Sequence, residues 1–191
     1  MNLAIFLLAV SFKVIGIDCA GCGPPIVKAL KAVPGVKSAR VDTKSGMVTV
    51  DVPQGFDEKK LHAAVVNAGF ETAANFTPLS PEAVKKLDIA PYDGETRVLG
   101  KITIVDYYAD WCGPCLVLET RLHRYMAAHP NVALRRADVG KWNTPAAKQA
   151  TRFGAKALPY IRVYDTNGTF VEAVTGGMWD EVLAALEAAA R

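Results

Sequence analysis

Two cysteine pairs of identical spacing carry the reactive chemistry of this chain. They are Cys19-Ala20-Gly21-Cys22 and Cys112-Gly113-Pro114-Cys115, and they account for all four cysteines of the 191 residues. The thiolate, not the thiol, attacks disulfides and binds soft metals, and a free cysteine with a pKa near 8.5 is only about three per cent ionised at pH 7. Either pair therefore needs neighbours that stabilise the anion. Cys112 stands at the expected start of a helix, where unpaired backbone N–H groups aim at its sulfur. Gly113 and Pro114 keep that turn tight, and Cys115, one turn on, is placed to displace whatever Cys112 captures. Those are the features of a dithiol/disulfide redox couple. The first pair follows a short strand and opens a loop that can present two sulfurs to one ion. Two thiolates hold Cu(I) or Hg(II) nearly linearly and leave room for an incoming ligand. The same spacing also fits a second redox disulfide, and both readings stay open.

Two tight pairs are not the framework of a stapled secreted scaffold, which is shorter and richer in cysteine. Stability must come from burial, and with 51% hydrophobic residues there is material for one large domain or two small ones. The net charge of +3 is small and its basic residues are spread along the chain, which argues against a nucleic-acid groove. Lys85-Lys86 and Arg135-Arg136 read as solvated surface. His62, His123 and His129 fall on expected helices without ligand-like spacing and read as surface or locally satisfied groups. The apolar run Leu3–Val10 is shorter than the roughly 20 residues a membrane span requires. It reads either as the apolar core or remnant of an export signal, or as an extension of the first strand.

The elements that must position the cysteines follow from pattern. Phe12–Ile17 alternates as a strand. Pro24-Pro25 suits a helix start, and Ile26, Val27, Leu30 and Val33 recur at helical spacing before Pro34-Gly35. Val36–Asp42 and Met47–Val52 read as strands about the turn Lys44-Ser45-Gly46. A second helix, capped by Asp57, carries Leu61, Ala64, Val65 and Ala68 and ends at Gly69. Residues 76–97, with Pro78, Pro81 and Pro91, read as a connector holding one short helix capped by Ser80. Beyond it the expected order is strand Lys101–Ala109, helix Pro114–Ala128, strand Val132–Asp138 and helix Thr144–Arg152. Strands Tyr160–Tyr164 and Phe170–Val174 and helix Met178–Ala190 follow.

The segment Tyr107-Tyr108-Ala109-Asp110-Trp111-Cys112-Gly113-Pro114-Cys115 resembles the active-site segment of the thioredoxin superfamily. The resemblance implies a thioredoxin fold, a central mixed sheet flanked by helices, over the last half of the chain. It implies Cys112 as nucleophile and Cys115 as resolving thiol, with Trp111, Gly113 and Pro114 completing the motif. Asp106 falls where many thioredoxins keep a buried carboxylate that assists proton transfer near the resolving cysteine. The alternative is a surface or capping carboxylate, although a charge in an apolar strand is expensive without a reason. Pro159, in Ala157-Leu158-Pro159-Tyr160, falls where the family keeps a cis-proline facing the disulfide. Tyr108 stands where thioredoxins often have Trp, Leu158 where they often have Thr or Val, and Leu116 replaces a common Lys. These departures point toward specialised, often exported relatives.

Gly16-Ile17-Asp18-Cys19-Ala20-Gly21-Cys22, with the strand–helix–strand–strand–helix–strand order and Ala68-Gly69-Phe70, resembles the heavy-metal-associated domain. That family includes copper chaperones and the N-terminal domains of metal-pumping ATPases. The resemblance implies a ferredoxin-like βαββαβ fold and a metal site at Cys19 and Cys22. Asp18 either adds a hard oxygen donor of the kind Zn(II) accepts or only caps the loop. Ile17 replaces the family's usual Met, and Gly23-Pro24-Pro25 departs from its usual polar helix start.

The expected α/β architecture is therefore a leader or anchor remnant over 1–10, a heavy-metal-associated domain over 11–75, a connector over 76–97 and a thioredoxin-like domain over 98–191. The expected activity is thiol–disulfide exchange on disulfides of metal-handling or exported proteins. No organic cofactor is expected; a soft ion (Cu(I), Zn(II), Cd(II) or Hg(II)) is expected at the first pair, and the expected location is periplasmic or exported, with a cytoplasmic one as the alternative. The expected partners are disulfide-containing proteins, an electron-donating thiol protein and a metal transporter or metalloprotein; nucleic acid is not among them. The competing reading is a metal chaperone whose second fold serves to dock partners.

Overall fold

The computed structural model describes residues 7–17, 20–95 and 97–191. The chain divides into two compact units, with the division between Phe76 and Thr77.

The first unit runs β1 (Leu7–Ile15), a 3-10 turn (Ala20–Cys22), α1 (Gly23–Lys31), β2 (Ser38–Asp42), β3 (Met47–Pro53), α2 (Lys59–Asn67) and β4 (Glu71–Thr72). Its strands form one antiparallel sheet in the order β2-β3-β1-β4, the ferredoxin-like arrangement. Period-two alternation decides which face is covered: Val48, Val50 and Val52 of β3 point into the core with Val10 and Val14 of β1. Ile26 and Leu30 of α1, and Leu61 and Val65 of α2, close over that face at i, i+4 spacing. The β2–β3 turn requires glycine at position 46. Its φ is +72°, and a Cβ there would meet the Val14 carbonyl oxygen at 2.8 Å. The first strand starts earlier than alternation alone suggests. Leu7–Val10 pair with Val50–Pro53 of β3, Val10 is buried, and Leu7 and Leu8 remain exposed.

The second unit runs α3 (Pro81–Val84), β5 (Ile89–Pro91), β6 (Ile102–Tyr108), α4 (Gly113–Ala128), β7 (Val132–Asp138), α5 (Pro145–Arg152), β8 (Tyr160–Tyr164), β9 (Phe170–Thr175) and α6 (Trp179–Ala189). The mixed sheet has the order β5-β7-β6-β8-β9, with β5, β7 and β6 parallel and β8 and β9 antiparallel. The central strand β6 is covered on both faces. Ile102 and Ile104 pack with Leu118 and Leu122 of α4 and with Val182 and Leu186 of α6. Val105 and Tyr107 face the other way, toward Ala147 and Ala150 of α5. Among the described residues no helix is long and apolar enough to cross a membrane.

The stretch 76–97 differs from the connector expected of it. Ser80 does cap α3, its Oγ accepting the Ala83 amide at 3.3 Å. Beyond it, however, β5 is a working edge strand, and the Leu134 and Tyr92 amides bond across to Asp88 and Arg136 carbonyls at 2.8 Å. The Asp88 carboxylate takes Lys101 Nζ at 2.8 Å and Arg135 Nη1 at 2.9 Å. Those partners, the hydrogen-bonded Lys101 first, hold its pKa below the usual carboxylate range. This segment is thus built into the second unit's sheet.

Candidate active site and metal centre

β6 ends at Tyr108, and Ala109–Trp111 lead into α4, whose first residue is Gly113. Cys112 is the residue that caps the helix. Its backbone is extended (φ −95°, ψ 97°), and its Sγ accepts the Cys115 amide at 3.2 Å. Pro114 sits in the first turn, where its missing N–H removes nothing the helix needs. Cys112 and Cys115 are joined as a disulfide. Cys112 keeps 6% of its surface exposed and Cys115 only 2%, so the leading cysteine is the less buried of the two. Trp111 beside them is 53% exposed, its indole held by a bond from Nε1 to the Gly140 carbonyl at 2.8 Å. Leu158–Pro159 is a cis peptide immediately before β8, and the Pro159 carbonyl accepts the Gly176 amide at 2.8 Å.

Asp106 lies in the middle of β6, on the same alternating face as Ile102 and Ile104, and is 1% exposed. It is neither a surface nor a capping carboxylate. Arg136, directly beside it on β7, brings Nε to 3.0 Å from Asp106 Oδ2. That approach is an ion pair without hydrogen-bond geometry, since neither Asp106 oxygen and not Arg136 Nε has a hydrogen-bond partner. Burial raises the Asp106 pKa to about 7; the Arg136 charge opposes this and the Glu119 charge adds to it.

Four side chains have roles that the sequence alone does not show. Arg135 and Arg136 are not solvated: the first holds Asp88, and the second lies between Asp106 and Glu119 with its guanidinium 3.7 Å from the Tyr108 ring centre. Glu119 contacts Arg136 Nη1. His123, one turn further on α4, is largely buried with Nε2 at 3.8 Å from Glu119 Oε1. A doubled arginine in a strand looks like any surface patch; only the strand register shows that Arg136 is paired with a buried Asp.

At the first pair, Cys22 ends the 3-10 turn and precedes α1. It belongs to the aliphatic core with Val14, Ile26, Leu30 and Phe70, and its sulfur is disulfide-bonded. Asp18 and Cys19 lie outside the described residues. Among the described residues no three His, Cys, Asp or Glu side chains converge, so any metal site here must use the cysteine pair itself.

Residues 84–188, more than half of the chain, match the thioredoxin family. The chain belongs to that family. Residues 11–71 match the heavy-metal-associated domain. A chloroplastic F-type thioredoxin of Brassica napus is 27% identical over 161 residues, spanning 82% of this chain and 84% of the relative. Thioredoxin F2 of Arabidopsis thaliana is 32% identical over 89 residues, 47% of this chain and 46% of that one. Among solved structures, a CopZ metallochaperone is 24% identical with a TM-score of 0.33, covering 35% of this chain and all of that one. Spinach chloroplast thioredoxin F is 22% identical with a TM-score of 0.44, covering 55% and 93%. This thioredoxin-family chain is a thiol–disulfide oxidoreductase fused to a heavy-metal-associated domain with a soft-metal site, and its partners are thiol and disulfide proteins.

Proposed function

We propose that the chain reduces disulfides in metal-handling or exported proteins, with Cys112 as nucleophile and Cys115 as resolving thiol. The observation that carries this reading is Cys112 at the N-cap of α4 with its sulfur accepting a backbone amide. In the reduced protein the same helix terminus favours the thiolate over the thiol. Cys112 thiolate attacks one sulfur of the target disulfide, and the other target sulfur leaves as a thiolate. Cys115 then gives its proton to the Asp106 carboxylate and attacks the Cys112 sulfur, releasing the second target thiolate. The target gains two electrons, and the Cys112–Cys115 disulfide of the structure is the product. Trp111, Gly113, Pro114 and Pro159 frame the surface on which a target strand docks. A thiol protein or reductase returns the two electrons.

Cys19 and Cys22 bind a soft ion, with Asp18 as a third donor if the ion is Zn(II). A disulfide at this pair cannot coordinate metal, and Cys22 is disulfide-bonded. The pair is therefore itself a fitting target: electrons from Cys112 and Cys115 would restore the metal-competent dithiol. Departures from the common thioredoxin pattern at Tyr108, Leu116 and Leu158 support a periplasmic location. Recovery of the protein with cytoplasmic markers on cell fractionation defeats that part.

The deciding experiment is anaerobic purification, metal quantification and separate titration of each cysteine pair against glutathione. A reducible Cys112–Cys115 couple that reduces insulin, beside a pair that loads metal only when reduced, is the expected result. Metal transfer with no insulin reduction would leave the docking fold of a chaperone instead.

A further inference from the structure

A buried ion pair is ordinarily one cation to one anion, but here a single guanidinium meets two carboxylates. Arg136 reaches Asp106 Oδ2 with Nε and Glu119 Oε1 with Nη1. Glu119 stands four residues beyond Cys115 on α4, so both side chains leave the helix on one face. That helix packs on the face of β6 that carries Asp106. One positive charge cannot neutralise two carboxylates in a site shielded from water, and the less hydrated of the two then keeps its proton. Asp106 is buried while the Glu119 side chain is 30% exposed, so the proton belongs on Asp106.

We propose that Glu119 is a positioning residue for the thiol chemistry: by competing for the one charge of Arg136 it keeps Asp106 able to carry a proton to and from the Cys115 sulfur. The inference rests on Cys115 being the resolving thiol. In the resolving step the Cys115 S–H bond breaks, its proton moves to an Asp106 oxygen, and its electron pair forms the bond to Cys112. The Cys112–target bond breaks and the target departs as a thiolate. In the reverse step Asp106 returns the proton.

The groups facing Asp106 are few. Arg136 comes from β7, Glu119 from α4 and Tyr108 from β6 itself, while its β8 neighbour Ile161 is uncharged; His123 of α4 lies against Glu119. α6 contributes the apolar Val182 and Leu186 to that face. Burial lowers the His123 pKa. Its neutral form is thereby favoured, which leaves Arg136 as the cation in contact with Glu119.

The test is the titration of the Asp106 carboxyl in the oxidised protein, followed by its carbon-13 shift in the parent, Glu119→Gln and Glu119→Asp. The expected result is a midpoint lowered by about one pH unit in E119Q and restored in E119D. The acid limb of the pH–rate profile for disulfide reduction moves with it, and E119Q moves nothing in a D106N background. An unmoved midpoint in E119Q, or the same displacement of the rate profile in both backgrounds, overturns the inference. The carboxyl titration needs no turnover, so a protein with the midpoint shift and no reductase activity refutes the redox reading instead.

Discussion

The two cysteine pairs sit in the same local frame and differ in what stands behind them. Each follows a strand, each precedes a helix, and each helix has proline in its first turn. Six residues before the leading cysteine the first pair has Lys13, exposed, and the second has Asp106, buried. Four residues after the trailing cysteine the first has Ile26, fully buried in an aliphatic core, and the second has Glu119, bound to Arg136. The caps differ too. Cys112 has extended backbone and accepts an amide through sulfur, whereas Cys22 has helical backbone (φ −75°, ψ −26°) and makes no side-chain cap bond. Thiol–disulfide exchange moves protons with electrons, so it needs titratable groups within reach. Metal capture needs the sulfurs alone. The spacing is common to both pairs; the Asp106–Arg136–Glu119 cluster stands behind the second.

The sharpest way to break this comparison is to remove one sulfur from each. Cys112→Ser is expected to lower insulin reduction by roughly three orders of magnitude, while metal binding by the reduced protein is retained. Cys22→Ser is expected to abolish metal binding and leave insulin reduction at the parental rate. Reduction impaired as strongly by C22S as by C112S would show that both pairs serve one redox path, and the division of labour would be lost.

Which parts of this were legible in the residues follows from how local their causes are. β7 and β8 have the bounds that pattern predicts, because a run of buried apolar side chains flanked by turn residues decides them. The cysteines announce themselves by spacing. β5 does not, because Ile89–Pro91 is held by backbone bonds to β7 and by the bond from Arg135 to Asp88, with partners more than 40 positions away in the chain. Arg136 has the same difficulty, since its meaning lies on β6 and α4. Leu7–Val10 looks like a leader because its apolar side chains are consecutive; it is the register with β3 that makes it strand.

The next largest effect concerns stability and turns on Asp106, the buried carboxylate behind the second pair. Burial lifts Asp106 to about 7 in the fold, from an ordinary aspartate value of 3.8 in the unfolded chain. Between those values the folded protein holds a proton the unfolded chain has released. Stability is therefore fully present below the lower value and is lost as pH rises through the upper one. Asn cannot ionise, so Asp106→Asn is expected to be more stable than the parent at pH 8, by on the order of 3 kcal/mol. The gain should shrink to nothing toward pH 4. Thermal denaturation of the oxidised proteins across that range measures it, and a pH-independent difference would mean that packing, not charge, separates the variants.

The smallest expected effect concerns one helix cap of the second unit. Asp57 caps α2, its Oδ1 accepting the Lys59 amide at 3.1 Å, and Thr144 caps α5 by accepting the Ala147 amide at 3.1 Å. Its hydroxyl also donates to the Asp138 carbonyl at 2.8 Å. Asp138 in turn accepts the Gly140 amide at 2.7 Å, and the Gly140 carbonyl holds the Trp111 indole. One cap is thus linked through a single loop to the exposed aromatic beside the disulfide. Thr144→Ala should cost about 1 kcal/mol of stability, while Thr144→Ser, which keeps the hydroxyl, should cost a few tenths at most. If the loop does place Trp111 against the target, T144A should also raise KM for a protein disulfide with kcat unchanged, and T144S should not. Equal KM for the two variants would confine Thr144 to holding α5 and would leave the indole anchored by its own bond alone.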